Sequence, residues 1–174
     1  YTTLAHEGFP GHLYQTITFA SSSPDPVRYL PAMGGYVEGW ATYAESFAYT
    51  YYQPDSMDGR LAWLNRSLNL CMMSLLDTTI HYNSWNQERC ATFLSQLGIT
   101  DNAIQKEVYQ VIVEDPANYL KYYLGYLQFL DLQQEARELA GDSFRLHSFH
   151  QKALSAGPCQ FPVLKQWILT QYKT

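Results

Sequence analysis

The sequence predicts an all-α fold, a single helical domain of seven to eight helices. Apolar residues recur at helical spacing along most of the 174-residue chain, and no segment shows sustained alternation of period two between hairpin turns. Gly and Pro residues mark most boundaries between the periodic segments. With 47% hydrophobic residues, the chain is long enough and apolar enough to bury a sizeable core.

Three helical regions are expected in the first half of the chain. Their ranges are residues 2–20, 36–52 and 57–82. The first is interrupted at Pro10-Gly11, residues 21–35 form a Pro-rich loop, and residues 53–55 end the second helix. The third region has an apolar face that consists of Leu61, Leu64, Leu68, Cys71, Leu75 and Ile80.

Five further helices are expected in the second half, with boundaries set by capping residues, Gly and Pro. A capping box at residues 84–87 starts the first of them, which stops at Gly98, and Thr100-Asp101 starts the second, which stops at Asp115-Pro116. The third covers residues 117–140 and ends at Gly141-Asp142, and the fourth covers residues 143–156 and ends at Gly157-Pro158. Pro162 lies in the first turn of the last helix. The connections are short, and no internal repeat or obvious linker divides the chain.

Composition argues against several classes of partner. The formal net charge is −5 and no Lys/Arg-rich cluster is present, which disfavours nucleic acid or anionic membrane as the main partner. No apolar run approaches the roughly 20 residues that a membrane-spanning helix needs. The cysteines, Cys71, Cys90 and Cys159, suggest no disulfide framework and are expected to be buried thiols.

The chain begins without an initiator Met or a signal peptide, and its richest motif lies close to the first residue. We therefore expect a piece of a longer protein, whose location in the cell is not readable from this N-terminus. Its oligomeric state is equally open.

The richest motif contains two histidines around a glutamate, with an unusual spacing. Zinc hydrolases carry H-E-x-x-H, in which the histidines lie four residues apart on one helix face. Here His6 and His12 are six apart, with Glu7 after the first. Pro10 clashes with the carbonyl of His6 in a continuous helix, and Gly11 permits unusual backbone angles. A break there is expected to return His12 to His6, although two unrelated histidines around a kink would give the same pattern.

Two glutamates on the next helix are candidates for completing a metal site. Glu38 and Glu45 are seven residues apart and therefore share a face of a largely apolar helix. A carboxylate on such a helix is costly to bury unless it is paired, hydrogen-bonded or bound to a metal.

The chemistry of a catalytic zinc assigns roles to these residues. Such a zinc takes three protein ligands and keeps one position for water. His6, His12 and one glutamate complete the set, and Glu7 is left as general base. Glu38 is preferred as third ligand because it precedes a glycine that permits close approach, and Glu45 would then orient a histidine. The opposite order of the two glutamates stays open.

A group of tyrosines follows Pro116. Tyr119, Tyr122 or Tyr123, and Tyr126 share a helix face, with Gly125 allowing close approach. A tyrosine hydroxyl that faces a zinc site can donate to an oxyanion. An aromatic packing stripe would show the same spacing.

His81, with Asp77 one turn earlier, is a weaker candidate. It is considered as a substrate or oxyanion contact, against the alternative of an ordinary surface or core histidine.

Together, these segments resemble the bacterial domain-of-unknown-function family 885, with its H-E-x-x-P-G-H signature. The matching stretches are residues 6–12 with Gln15, 34–45, 77–85, 116–125 and the tail from Gly141. They follow the family's order and cover nearly the whole chain. The family is similar to the largely helical gluzincin metallopeptidases, including the carboxypeptidase Taq and thimet oligopeptidase types.

The resemblance implies a zinc-dependent peptidase with His6, His12 and Glu38 as ligands, Glu7 as base and Tyr122 as oxyanion donor. It implies that residues 1–174 form the C-terminal helical, metallopeptidase-like domain of a longer protein. Many family members carry lipoprotein or secretion signals, which favours the bacterial cell envelope or an extracellular location; a cytoplasmic one stays open.

Two other functions compete with the peptidase. A zinc hydrolase acting on other amides or esters would use the same residues, because the metal chemistry does not fix the leaving group. A helical binding or scaffold module would use them structurally and bind no zinc. Sequence preference and endo- or exopeptidase action are not encoded in any recognisable motif.

Overall fold

Nine α-helices and two short 3₁₀ helices form the chain in the computed structural model, which describes residues 1–52 and 57–172. The α-helices are α1 (Thr2–Glu7), α2 (His12–Ser21), α3 (Gly34–Tyr52), α4 (Met57–His81), α5 (Gln87–Gln96), α6 (Asn102–Glu114), α7 (Asn118–Ala140), α8 (Leu146–Ala156) and α9 (Phe161–Thr170). The 3₁₀ helices are Pro26–Tyr29 and Gly141–Ser143.

The described residues contain no strand, so the predicted all-α fold is confirmed. When α1 and α2 are taken as one interrupted region, the described helices number eight, as the sequence predicts. The predicted helix end at residues 53–55 lies outside the described residues.

Most helix boundaries lie close to the predicted ones, although the predicted loop at residues 21–35 contains the 3₁₀ helix Pro26–Tyr29 and α3 begins at Gly34 instead of residue 36. Asp101 caps α6, since its carboxylate accepts the backbone N–H two residues on at 2.7 Å. The capping box at residues 84–87 is wrong: Ser84 has a φ of 56°, and Asn86 caps α5 by accepting the N–H three residues on at 3.0 Å. α8 begins at Leu146 and not at residue 143, where the second 3₁₀ helix ends.

The main core lies around α3 and α7, with α8 and α9 packed against them. Its largest members are almost fully buried aromatic residues, namely Tyr36, Trp40, Tyr43, Phe129 and Phe149. A smaller cluster joins α4, α5 and α6 through Leu76, Cys90, Leu94 and Ile112. The three cysteines are free thiols as expected, but only Cys90 is fully buried.

Glycine allows α3 and α7 to touch at the backbone. A Cβ atom on Gly39 would lie 2.5 Å from the carbonyl carbon of Gly125, and one on Gly125 would overlap the carbonyl oxygen of Gly35. A side chain at Gly39 or Gly125 would therefore push the helices apart. This close approach places Glu38 of α3 near Tyr122 of α7, where its charge helps to raise the pKa of the phenol.

The helix α4 has a buried side and an exposed apolar side. Leu76 and Ile80 are buried in the cluster with α5 and α6. Leu61, Leu64 and Leu68, by contrast, are 57%, 53% and 65% exposed, although they belong to the apolar face that the sequence predicts. None of the described helices combines the length and apolar character needed to cross a membrane.

Candidate metal centre

The break between α1 and α2 folds the chain back on itself. The Phe9–Pro10 peptide bond in this break is cis. A Cβ atom on Gly11 would overlap the carbonyl oxygen of His6 and lie 2.5 Å from that of Ala5, so only glycine fits here. The rings of His6 and His12 are consequently 4.9 Å apart, in edge-to-face contact. The Pro-Gly interruption thus returns the second histidine to the first, as the sequence predicts.

The break is also tied to α3. Trp40 donates its indole N–H to the carbonyl oxygen of Pro10 at 3.0 Å. Trp40, Ala41 and Ala44 are almost fully buried, which confirms that this part of α3 packs inward. The side chain of Glu38, two residues before Trp40, is thereby held next to both histidines.

Three side chains from α1, α2 and α3 converge on one point. Glu38 Oε2 lies 3.6 Å from His6 Nε2 and 3.3 Å from His12 Nε2. All three atoms lie within 4.8 Å of one another. Tetrahedral zinc with bonds of about 2.1 Å separates its ligand atoms by about 3.4 Å. The donor types and the two separations from Glu38 therefore fit a zinc ion, and these three residues are the ones that would hold it.

Glu45 contacts His6 on the side of the ring that faces away from Glu38. Its Oε2 atom lies 3.1 Å from His6 Nδ1, and its Oε1 atom accepts from Arg66 Nε at 3.3 Å. A carboxylate that accepts the Nδ1 hydrogen of a histidine leaves the Nε2 lone pair for a metal. The geometry therefore favours Glu38, which lies near both Nε2 atoms, as the third ligand. It favours Glu45 as the carboxylate that orients His6.

The electrostatics of the cluster favour a bound cation. Burial disfavours a charged imidazole, yet hydrogen bonds to Glu38 and Glu45 outweigh it and raise the pKa of His6 to about 9. Burial likewise disfavours a carboxylate, yet hydrogen bonds with His12 and His6 lower the pKa of Glu38 to about 2. Because its pKa is raised, His6 holds a second proton, and a metal ion bound to Nε2 would take the place of that proton.

Glu7 and Tyr122 line a cavity of about 260 Å³ beside His6. Glu7 is exposed, while the Tyr122 ring stacks on the imidazole of His6 with centroids 6.3 Å apart. Burial, together with the charge and hydrogen bond of Glu38, raises the pKa of Tyr122. The phenol therefore keeps its proton and is available as a hydrogen-bond donor.

The other tyrosines of α7 divide between the cavity and the core. Tyr119 lines the same cavity as Tyr122. Tyr126 packs in the core against Trp63, with ring centroids 5.2 Å apart, and Tyr123 lies against Tyr126. Tyr119 and Tyr122 thus line the cavity, whereas Tyr123 and Tyr126 contribute to packing.

Asp77 fixes the start of α7. Its Oδ1 atom accepts the backbone N–H of Ala117 at 3.0 Å, immediately before the helix that carries Tyr119. His81 Nε2 lies 3.0 Å from the carbonyl oxygen of Ile112 and 3.7 Å from Asp77 Oδ1. Asp77 therefore positions the tyrosines indirectly. His81 contacts α6 and not the candidate metal centre. Its expected catalytic role stays a prediction.

Sequence reasoning did not identify Arg66. It lies on α4, where the local pattern is that of an amphipathic helix, and its partner Glu45 is 21 residues earlier. Only a long-range contact reveals its role. Gln15 was visible in the matching motif, but no function was assigned to it.

The fold and the cluster together define a helical protein with a candidate metal centre of two histidines and a glutamate. The chain belongs to the family described as bacterial protein of unknown function (DUF885), whose model matches residues 1–168. This match confirms the family that the sequence motifs indicate.

Two solved structures share the fold. A candidate lipoprotein from Colwellia psychrerythraea is 28% identical with a TM-score of 0.79, and the match covers 98% of this chain and 30% of that one. A candidate lipoprotein of unknown function from Shewanella oneidensis is 26% identical with a TM-score of 0.80, covering 97% and 31%. The chain thus spans less than a third of the length of these relatives. No curated protein matches it.

Proposed function

We propose that the protein containing this chain is a zinc-dependent peptidase, with residues 1–174 as its helical metallopeptidase-like domain. The proposal rests on the convergence of His6 Nε2, His12 Nε2 and Glu38 Oε2 within 4.8 Å of one another. The contact between Glu45 and His6 Nδ1 supports it, because metal-binding histidines usually donate their other nitrogen to such a partner.

Zinc held by these residues would polarise the scissile carbonyl and make a bound water more acidic. Glu7 then accepts a proton from the attacking water and delivers it to the leaving amine. Tyr122, whose pKa is raised, donates a hydrogen bond to the oxyanion that develops on the carbonyl. His6, His12 and Glu38 would hold the zinc ion next to the cavity that Glu7 and Tyr122 line.

A peptide is the proposed substrate because the chain resembles the gluzincin peptidases. Other amides or esters would need the same base and the same oxyanion donor, so a substrate screen separates them. A helical scaffold is the contrasting function, in which the same residues are structural and bind no zinc.

The relatives support a location in the bacterial cell envelope. Both solved structures are described as candidate lipoproteins, and lipid anchoring places a protein at a membrane surface without a spanning helix. We include this location in the proposal for the whole protein.

Exchange of Glu7 for Gln tests the mechanism in the full-length protein. Glu7→Gln is expected to retain zinc and to lose peptide hydrolysis by about 100- to 10,000-fold, because the proton acceptor is removed. Glu107→Gln, an equal change of charge on the exposed side of α6, serves as control and should retain activity. The assignment of the base fails if Glu7→Gln cleaves peptides as fast as the parent.

A further inference from the structure

A second cavity, of about 410 Å³, lies on the other side of the candidate metal centre. His12 and Glu38 form part of its wall, whereas His6, Glu7 and Tyr122 line the first cavity. The cluster therefore stands between two cavities, and the mechanism above uses only the first.

The wall of the second cavity is mostly apolar. Phe19 of α2, Met33 and Val37 near the start of α3, and Pro158 after α8 contribute much of it. The volume falls within the range of small ligand sites, about 300–1,000 Å³. A cavity of this size and composition suits one large apolar side chain.

Gln15 places an unpaired polar group in this apolar wall. Its side chain is 3% exposed, and its Nε2 atom has no hydrogen-bond partner among the described residues. Gln15 lies three residues after His12 on α2, so both side chains project from the same side of the helix. An unsatisfied buried donor costs about 1–3 kcal/mol. A ligand acceptor next to His12 would remove that cost.

Arg28 is already engaged in the cavity wall. Its Nη2 atom donates to the carbonyl oxygens of Ala156 and Pro158 at 2.8 and 3.2 Å, and its guanidinium lies 5.5 Å from the centre of the Phe19 ring. These contacts direct the guanidinium to the backbone and to an aromatic ring. They favour an uncharged peptide residue over a free terminal carboxylate as occupant.

We propose that the second cavity binds one residue of a peptide substrate beside the scissile bond. The cavity takes a large apolar side chain against Phe19 and Val37. Rotation of the Gln15 side chain then lets its covered Nε2 atom donate to the backbone carbonyl of that residue. This inference rests on the proposed function, because it requires that a peptide reach the metal centre.

Peptide affinity tests the proposal in full-length, zinc-loaded protein that carries Glu7→Gln and therefore binds without turnover. The probes are acetylated and amidated peptides, otherwise of Gly and Ser, with Phe, Ala or Asp at a single position, and binding is measured by calorimetry. The Phe peptide should bind about tenfold tighter than the Ala peptide, the discrimination that an apolar pocket gives. The Asp peptide should bind weakest.

Two matched substitutions place that preference in the second cavity. Ala32→Trp, at the exposed rim of the cavity, should fill it and abolish the preference for Phe, whereas Ala103→Trp, exposed on α6, should preserve it. Gln15→Leu should weaken all three peptides by about tenfold while the preference for Phe persists.

Zinc content is measured in the same samples, so that failure of this inference can be distinguished from failure of the proposed function. Zinc-loaded parent protein that does not distinguish Phe from Ala overturns the inference, as does an Ala32→Trp variant that behaves like Ala103→Trp. The same peptides are also tested with the C-terminal carboxylate left free instead of amidated, and binding of these alone overturns the inference in favour of recognition by Arg28. A parent protein without zinc instead contradicts the proposed function.

Discussion

The helices α3 and α4 carry comparable apolar patterns but occupy different surroundings. Trp40 and Ala41 of α3 are 2% and 0% exposed, whereas Leu64 and Leu68 of α4 are more than half exposed. Gly39 lets α3 meet α7 backbone to backbone, whereas Leu61, Leu64 and Leu68 of α4 remain exposed. Among the described residues, the backbone contact between α3 and α7 is made by glycines and not by leucines, and the candidate metal centre lies beside it.

The largest expected effect comes from a methyl group at the contact between α3 and α7. Gly39→Ala places a Cβ atom against the backbone of Gly125, and it should lower the free energy of unfolding by about 3 kcal/mol. Gly35→Ala on the same helix is the control, because its Cβ atom would meet only Phe161 at 3.8 Å. Urea denaturation followed by tryptophan fluorescence measures both.

That control should be neutral or slightly stabilising, since Ala is favoured over Gly within a helix by about 1 kcal/mol. Equal stability of Gly39→Ala and Gly35→Ala would show that the backbones of α3 and α7 are not in contact. It would contradict the difference drawn above between α3 and α4.

A smaller effect is expected at the ion pair that joins the two helices. Glu45 of α3 contacts His6 of α1 and Arg66 of α4. Glu45→Gln should weaken zinc binding by about 10- to 100-fold, because the orienting carboxylate of a metal-binding histidine is lost. Competition with a zinc chelator measures the affinity.

Glu107→Gln is the matched control for charge and should leave zinc affinity unchanged. If Glu45→Gln binds zinc as tightly as the parent, Glu45 has no role in orienting His6.

The smallest effect is expected on the outer face of α4. Leu64→Gln and Leu68→Gln should each change the stability of the 174-residue chain by less than about 0.5 kcal/mol, as is usual for exposed positions. Leu76→Ala, on the buried side of the same helix, should cost about 2–5 kcal/mol. Thermal unfolding monitored by circular dichroism distinguishes the two sides, and a large loss at Leu64 would show that this face is buried.

Local signals in the sequence accounted for the fold class and for the convergence of the histidines. Pro10 and Gly11 restrict the backbone within the motif itself, so the return of His12 to His6 follows from a few neighbouring residues. The preference for Glu38 as third ligand also had a local basis, because the glycine that follows it indicates a close approach of backbones. These features depend on covalent geometry and sterics, which a single sequence displays.

Long-range contacts could not be predicted in the same way. The pairing of Arg66 with Glu45 and the anchoring of Ala117 by Asp77 depend on how separate helices are placed. The exposure of Leu61 and Leu64 has the same origin: helical periodicity identifies an apolar face but not the surface that covers it. The capping box at residues 84–87 failed because Ser84 has a positive φ and Asn86 caps α5 in its place.

Zinc content of the full-length protein tests the central claim most directly. Elemental analysis is predicted to find about one zinc ion per chain in the parent protein and in His147→Ala, an exposed histidine on α8, but none in His12→Ala. Parent protein without zinc, or His12→Ala with as much zinc as the parent, would contradict a metal centre formed by His6, His12 and Glu38.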